Sequence, residues 1–329
     1  MLESLPHFFL YKSNHSYKEK SLERDCRSNI EKVVCLVDPV KDEKNLGDNQ
    51  QLMKRKCLEG SRNYASYFEK VYDNYPVVLQ KVFCSLDRIF IEKEFFGTAF
   101  AGVIKNEKGE IVGAKMGIRQ SVLHENLELT QWASWKEQLS FGGVKNNYTV
   151  QKDLPHVETM ATQKVNSFLY FVIAHEFGHI LDFTNNLNEV VGDDRKDQID
   201  LPMKEGSFGH LSFETTAKPW PAYNFSSREK LCFYLCKEEH IKKEETAQLY
   251  EELYFNTPFL STYSAIQPWD DFADSLAYFL LHRYLQTPYL LKTGQGEEYD
   301  IMEKLQSEKF RSKYQFIDEF LERRDIRYP

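Results

Sequence analysis

The 329-residue chain has little of what marks several large classes of protein. It contains only 15 glycines and 11 prolines and no low-complexity tract, which excludes collagen-like and intrinsically disordered chains. No apolar run approaches the roughly 18 residues that a membrane-spanning helix needs. Acidic residues outnumber basic ones by 50 to 42, so the overall charge does not favour a nucleic-acid partner. We therefore expect a folded protein without a transmembrane segment or a nucleic-acid partner.

Cysteine is also sparse, with six residues in the whole chain, which argues against a disulfide-dense scaffold. Four of them, Cys26, Cys35, Cys57 and Cys84, fall within the first 84 residues and would permit two disulfides in an exported protein. The N-terminus lacks the basic segment and apolar stretch of a signal peptide. The default expectation is therefore the cytoplasm, with export as the alternative if a leader has been removed. Nothing in the sequence indicates an oligomeric state.

Hydrophobic patterning predicts an α+β fold. Residues 1–74 are polar and are expected to form an extension packed on a main domain over 75–329. Strands are expected over Leu86–Ile91, Gly97–Ile104 and Ile111–Leu123, with a turn at Asn106–Glu110. We expect a small sheet of mixed or antiparallel type, with antiparallel pairing favoured.

The second half of the chain is dominated by helical patterns. The stretch Thr159–Phe183 is apolar on most sides, which is typical of a buried helix. Further helical patterns cover 227–255, 268–285 and 300–323. We expect these helices to form one lobe and the sheet another, with a cleft between the two.

The buried helix contains the motif His175-Glu176-Phe177-Gly178-His179. Two histidines four positions apart project from one helical face, so both imidazoles can reach one tetrahedral metal ion. Glu176 lies about 100° away around the helix, close enough to act as a base toward a water without being a ligand. The alternative is two core histidines hydrogen-bonded to the backbone and a structural glutamate. A zinc site accounts better for charged groups on an apolar helix.

A later segment, residues 267–281, offers carboxylates for a third ligand. Pro268 suits the first position of a helix. Helical periodicity places Asp270 and Asp274 on the apolar, inward face, whereas Asp271 is expected to point outward and to complement the helix dipole. We favour Asp270 as the ligand, with Asp274 and Asp271 as the alternatives.

The segments HEFGHILDF and PWDDFADSLAYF resemble the gluzincin metallopeptidases related to the anthrax lethal factor catalytic domain and the Mlc titration-factor peptidases. The resemblance covers 171–183 and 263–281 well, and it implies a zincin-like fold. It implies that Asp270 binds zinc, that Asp274 holds a zinc histidine in place, and that Tyr263 stabilises the tetrahedral intermediate. It also implies that Asp182 is structural and that a strand pairs with the substrate backbone, for which Gly113–Ser121 is the candidate.

The chain departs from this family at the third ligand, where the family has glutamate and this chain has the shorter Asp270. Either the second helix lies closer, or zinc is bound more weakly, or the site is degenerate. The expected function is a zinc-dependent endopeptidase with a peptide or protein substrate. The alternative is a non-catalytic zincin-fold protein that uses its cleft for a protein partner.

Two other groups of residues have weaker signals. Cys232, Cys236 and His240 would share one face of a helix and could bind a second metal, although a row of small apolar residues with a surface histidine is the expected interpretation. His210 could contact a substrate, but a solvated loop histidine is expected.

Overall fold

The computed structural model describes residues 26–39, 52–124, 127–142, 148–162, 164–192, 200–234 and 240–329. Its strands are β1 (Val34–Val37), β2 (Leu86–Glu92), β3 (Ala99–Lys105), β4 (Ile111–Arg119), β5 (His156–Thr159), β6 (Tyr289–Lys292) and β7 (Glu298–Asp300). Its helices are α1 (Arg27–Val33), α2 (Ala65–Tyr72), α3 (Val77–Ser85), α4 (Gln120–His124), α5 (Leu129–Gln138), α6 (Ser167–Asn185), α7 (Thr246–Asn256), α8 (Pro268–Leu280), α9 (Ile301–Leu305) and α10 (Arg311–Glu322).

The larger sheet is mixed, with the strand order β1-β2-β4-β3. Strands β1, β2 and β4 run parallel, and only β3 is antiparallel to its neighbour β4. The favoured antiparallel pairing was therefore correct for one of these three strand pairs. A hairpin joins β3 to β4, because the Asn106 side chain accepts hydrogen bonds from the backbone of Lys108 and Glu110 and Gly109 takes a positive φ of 82°.

The described residues before position 75 contribute directly to this sheet. Strand β1 hydrogen-bonds to β2, and α1 packs into the same hydrophobic core as the rest of the chain. Two disulfides, Cys26–Cys84 and Cys35–Cys57, connect this region to α3 and to the segment after β1. These four cysteines would permit two disulfides, and both are present.

Helix α6 is the buried helix predicted from the sequence, and both of its ends have a local cause. The Asn166 side chain caps the N-terminus by accepting from the backbone of Leu169, and Asn186 ends the helix in the left-handed conformation at φ 56°. The helix therefore begins eight residues later than predicted. The preceding residues His156–Thr159 instead form β5, which pairs with β6 in a second sheet of order β5-β6-β7.

The other predicted helices differ in part from the structure. Residues 268–285 are α8 followed by a π-helical turn, whereas 300–323 is divided into α9 and α10. The pattern over 227–255 is helical mainly in α7. Ser140 explains the difference, because its hydroxyl and carbonyl bond the backbone of Cys232 and Ile241 and hold them outside a helix.

The architecture is therefore mixed α/β, with a mixed sheet and a helical part. None of the described helices is long and apolar enough to cross a membrane. Helices α6 and α8 pack side by side, and β3 lies along α6. The candidate residues lie where these three elements meet.

Candidate metal centre

His175 and His179 present their Nε2 atoms to each other across one turn of α6, at a distance of 3.2 Å. The two side chains are only 12% and 15% exposed. Two nitrogen ligands therefore converge at the edge of the core, as the spacing of the motif predicts.

Asp270 completes a cluster of three ligand atoms. Its Oδ1 lies 3.8 Å from the Nε2 of His175 and 3.5 Å from the Nε2 of His179. The in-plane point equidistant from the three atoms lies about 2.0 Å from each, and a tetrahedral ion just out of this plane would lie close to the zinc–nitrogen and zinc–oxygen bond lengths of roughly 2.0–2.1 Å. The separations also approach the edge of about 3.3 Å of a tetrahedron with such bonds. These residues therefore fit a zinc ion.

Helix α8 lies close enough for the short aspartate because of Gly178. A Cβ atom built on Gly178 would lie 2.8 Å from the Cα of Ala273, a separation that real side chains do not adopt. Glycine in the motif thus lets the backbones of α6 and α8 approach. Close contact between α6 and α8 is in keeping with one of the three expectations for the shorter ligand, a closer second helix.

Asp274 lies one turn beyond Asp270, against the far side of the first histidine. Its Oδ1 is 2.7 Å from the Nδ1 of His175, and its Oδ2 accepts a hydrogen bond of 2.5 Å from the Ser261 hydroxyl. A carboxylate at Nδ1 keeps the proton there and leaves Nε2 free as a ligand. This is the geometry expected of a residue that orients a zinc histidine.

Asp271 does not point outward, so the prediction for this residue is wrong. Its carboxylate is fully buried and receives hydrogen bonds of 2.6 and 2.7 Å from the ammonium group of Lys313 in α10. Helical periodicity correctly turns Asp271 away from the histidines. It did not reveal that α10 covers this face as well.

Burial and neighbouring charges set the protonation of the cluster. Burial raises the pKa of Glu176, and the nearby His175, His179 and Lys136 partly oppose the rise. Burial lowers the pKa of His179, but Asp270 and Glu176 outweigh it and the net pKa is raised. Burial raises the pKa of Asp270, but its contacts with the histidines outweigh that effect and lower it. A carboxyl with a raised pKa beside two imidazoles suits a general base.

Tyr263 belongs to the same site. Its ring centroid lies 5.8 Å from that of His175, and both side chains line one pocket together with Glu176. Burial raises the pKa of its phenol well above the usual value, and the Asp270 carboxylate adds to the rise. The hydroxyl therefore stays protonated and can donate a hydrogen bond.

Lys136 is a residue of this pocket that the sequence did not single out. Its Nζ lies 3.5 Å from the centroid of the Tyr263 ring and donates a 3.0 Å hydrogen bond to the Tyr234 hydroxyl. We call this space the Lys136 pocket. Its other walls are largely aromatic and include Trp132, Phe171, Tyr278 and Tyr289. A single lysine among the 42 basic residues carries no sequence signal that would mark it.

The strand predicted to pair with a substrate, Gly113–Ser121, is not at an edge. It falls largely in β4, which is hydrogen-bonded to β2 on one side and to β3 on the other. Among the described strands, β3 ends this sheet on the side of α6. Ala99, the first residue of β3, borders the Lys136 pocket, and Lys105, its last, borders a groove with Phe183.

The remaining candidates lie outside the cluster. Asp182 is buried at the end of α6 and accepts hydrogen bonds from the backbone and side chain of Asn188, in keeping with a structural role. His210 packs edge-on against Trp220. Cys232 is disulfide-bonded and not helical, so its thiol is not free for a second metal. Cys236 lies outside the described residues.

No protein-family model, curated protein or solved structure matches this chain. The resemblance of its two motifs to gluzincins therefore stays a hypothesis. The case for a function depends on the geometry of the site itself.

Proposed function

We propose that this protein is a zinc-dependent peptide hydrolase with a zincin-like fold. The observation that carries the proposal is the convergence of the Nε2 atoms of His175 and His179 and the Oδ1 of Asp270 around one point, beside the buried carboxyl of Glu176. Three protein ligands with room for a fourth are typical of catalytic rather than structural zinc. Asp274 supports this by holding His175 in the ligating orientation.

The residues around the cluster have separate roles in amide hydrolysis. When bound, zinc supplies Lewis acidity that lowers the pKa of water and polarises a carbonyl. Glu176 takes a proton from the attacking water and passes it to the leaving amine, for which its raised pKa suits it. The protonated phenol of Tyr263 donates a hydrogen bond to the oxygen that becomes negative as the water adds.

The groove along β3 suits an extended peptide. Added strands pair more readily in the antiparallel sense, so the substrate would run from the Lys105 end of β3 to the Ala99 end. Residues before the scissile bond would then lie near Phe183, which is 41% exposed and stacks on His179. Residues after the bond would enter the Lys136 pocket.

The disulfides favour an oxidising compartment as the place of action. Cys26–Cys84 and Cys35–Cys57 each join a buried cysteine to a partly buried one, and a reducing cytosol would not sustain such structural pairs. This inference replaces the default expectation of a cytoplasmic protein. Maleimide labelling of the unfolded protein, taken from its native host without reductant, tests it: no modification is expected at these four positions, and labelling of all four would contradict the inference.

Metal content and turnover test the proposed function. The purified protein should hold about one zinc per chain and hydrolyse casein, with both lost on dialysis against a chelator and restored by zinc. Glu176→Gln should keep the metal and lower kcat by roughly 10²- to 10⁴-fold, because an amide cannot accept the proton. Glu31→Gln, an exposed change on α1, serves as the matched control.

Three results would contradict parts of this proposal. A protein that neither contains nor takes up zinc would contradict all of it. Zinc without hydrolysis of any peptide would favour the non-catalytic binding protein. Full activity in Glu176→Gln would assign the base to another residue.

A further inference from the structure

The Lys136 pocket holds a positive charge where the proposed reaction needs none. Lys136 reaches into it from α5, and its ammonium group is surrounded by the rings of Trp132, Phe233, Tyr234 and Tyr263. A cation placed against aromatic faces is stabilised by the ring quadrupoles. The rings do not, however, replace the lone-pair acceptors to which an ammonium group donates hydrogen bonds.

The hydrogen bonds of Lys136 are correspondingly incomplete. An ammonium group has three donors, and the described residues provide one acceptor, the Tyr234 hydroxyl at 3.0 Å. None of the carboxylates in the described ranges accepts a hydrogen bond from it, although its charge opposes the raised pKa of the nearby Glu176. The adjacent Glu137 also lines the pocket, but its carboxylate accepts from Tyr250 at 2.7 Å and from Thr262 at 2.6 Å instead of from Lys136. Lys136 itself lines the pocket in which a ligand would lie.

The position along β3 identifies which part of a peptide would meet this charge. An antiparallel substrate has its C-terminal side at Ala99, and Ala99 and Lys136 line the same pocket. The pocket also contains Glu176 and His175, so it directly adjoins the reacting bond. The carboxyl groups that line this pocket, Glu137, Glu176 and Asp274, are not bonded to the Lys136 ammonium, and a carboxylate is the peptide group whose charge and geometry complement it.

We propose that Lys136 binds a substrate carboxylate on the C-terminal side of the scissile bond. This inference rests on the proposed function and assigns it a substrate class. The carboxylate has two sources, the side chain of an acidic residue directly after the bond or the C-terminus of a short peptide. A C-terminal carboxylate would make the protein a carboxypeptidase, whereas an acidic side chain would make it an endopeptidase selective for acidic residues.

Binding to an inactive variant tests the assignment without turnover. In zinc-loaded Glu176→Gln, three fluorescent peptides are compared: Ala-Ala-Leu-Glu-Ala-Ala blocked at both ends, the same peptide with Gln for Glu, and Ala-Ala-Leu-Gln with a free C-terminus. At least one carboxylate peptide should bind about 10- to 100-fold more tightly than the blocked Gln peptide, the range of a charge-assisted hydrogen bond. The one that does so identifies the source.

Variants of Lys136 then show whether this residue is responsible. Lys136→Met, added to the Glu176→Gln protein, should bring the ratio of affinities to about one, while Lys136→Arg should keep most of it. Lys32→Met, at an exposed position on α1, is the matched control and should leave the ratio unchanged. Thermal melts of each variant check that the fold is retained.

Several outcomes would overturn the assignment. One is a ratio near one in the Glu176→Gln protein, and another is a ratio that Lys136→Met leaves intact. In the active enzyme, mass spectrometry should find cleavage on the N-terminal side of Glu, and cleavage on its C-terminal side would misplace Lys136. A Lys136→Met variant that lowers kcat equally for all peptides, with the preference kept, would place Lys136 in the reaction instead. A binding preference without any hydrolysis would contradict the proposed function and leave this inference standing.

Discussion

Helix α8 separates two clusters of buried charge that are satisfied in different ways. On one face, Asp271 receives two hydrogen bonds from the ammonium group of Lys313, which also donates to the carbonyl of Pro258. On the other face, Asp270 and Asp274 meet two imidazoles, with Glu176 beside them. The first cluster contains its own cation. The second gathers three carboxyl groups around two imidazoles, with the Lys136 ammonium group near Glu176.

The difference indicates which cluster is structural and which is functional. A buried charge is costly unless it is paired, so a paired cluster is stable as it stands. The histidine cluster instead brings two imidazole nitrogens and a carboxylate oxygen together around one point, a ligand set that a divalent metal fits. We infer that the Lys313 side of α8 holds the fold together, whereas the histidine side is built to receive an ion.

The largest effect on stability is expected from breaking the paired cluster. Asp271→Ala leaves the Lys313 ammonium buried without its counter-charge, which typically costs about 3–5 kcal/mol of unfolding free energy. Chemical denaturation of the metal-free protein measures this loss. The sequence alone predicts only a helix-dipole effect of roughly 0.3–1 kcal/mol for the same change.

A double variant separates an unpaired charge from a lost contact. Asp271→Leu combined with Lys313→Met replaces the pair by apolar groups of similar size, which is often close to neutral. The double variant should therefore be much more stable than Asp271→Ala. Equal losses in the two proteins would contradict the view that this pair acts through charge.

On the metal side the main response should be in zinc affinity. Asp270→Ala removes a ligand, so zinc affinity should fall by more than the 10- to 100-fold expected for Asp274→Ala, which only orients His175. Unfolding of the zinc-free protein should also become easier, because the lowered pKa of Asp270 means that its contacts with the histidines stabilise the folded state. Competition with a chelator ranks the two variants. If Asp271→Ala lost the most zinc affinity, α8 would be turned by about 100° from its position here.

The fold was predictable where the pattern is local. The strands β2, β3 and β4, the hairpin at Asn106 and the buried helix α6 are close to the expected positions, since each follows from alternation, turn residues or apolar content. The parallel pairing of β1, β2 and β4 was not predictable, because it depends on distant segments. The interruption of 227–255 likewise comes from Ser140, nearly a hundred residues away.

The candidate site divides in the same way. The placement of His175, Glu176, His179, Asp270 and Asp274 was predictable because helical spacing determines which side chains share a face. The pairing of Asp271 with Lys313 was not, because nothing local shows that α10 covers that face. Lys136 was missed for the same reason, since only the fold brings α5 to the cleft. Whether the predicted ligands bind zinc stays a prediction.

An intermediate effect is expected from separating the two helices. Gly178→Ala places a methyl group 2.8 Å from the Cα of Ala273, so α8 must move. Overpacking of this kind costs about 1–3 kcal/mol, against a gain of roughly 0.5–1 kcal/mol from replacing glycine in a helix. Stability should fall by about 1–2 kcal/mol, and zinc affinity should fall because Asp270 moves away from the histidines with α8.

Adding Asp270→Glu should restore zinc affinity without restoring stability, since the longer side chain spans the wider gap. No recovery of zinc binding would show that the reach of Asp270 is not what Gly178 provides.

Asp182 represents a third way to bury a carboxylate, with amide donors and, among the described residues, no salt bridge to a lysine or arginine. The smallest effect is expected there. Burial raises its pKa from 3.8 to about 6, although hydrogen bonds from Asn188 oppose the rise. Between these two values the folded protein holds a proton that the unfolded chain has lost, so stability falls as the pH rises and the loss is complete above about pH 7. From pH 5 to pH 6 the Asp182 carboxyl should account for about 1 kcal/mol of lost unfolding free energy.

Denaturation in a chelating buffer should therefore show a shallower pH dependence for Asp182→Asn than for the wild type. Asp325→Asn is the exposed control: Arg323 lowers the pKa of Asp325, so this variant should keep the wild-type pH dependence. If Asp182→Asn also kept it, the Asp182 carboxyl would be ionised throughout this pH range.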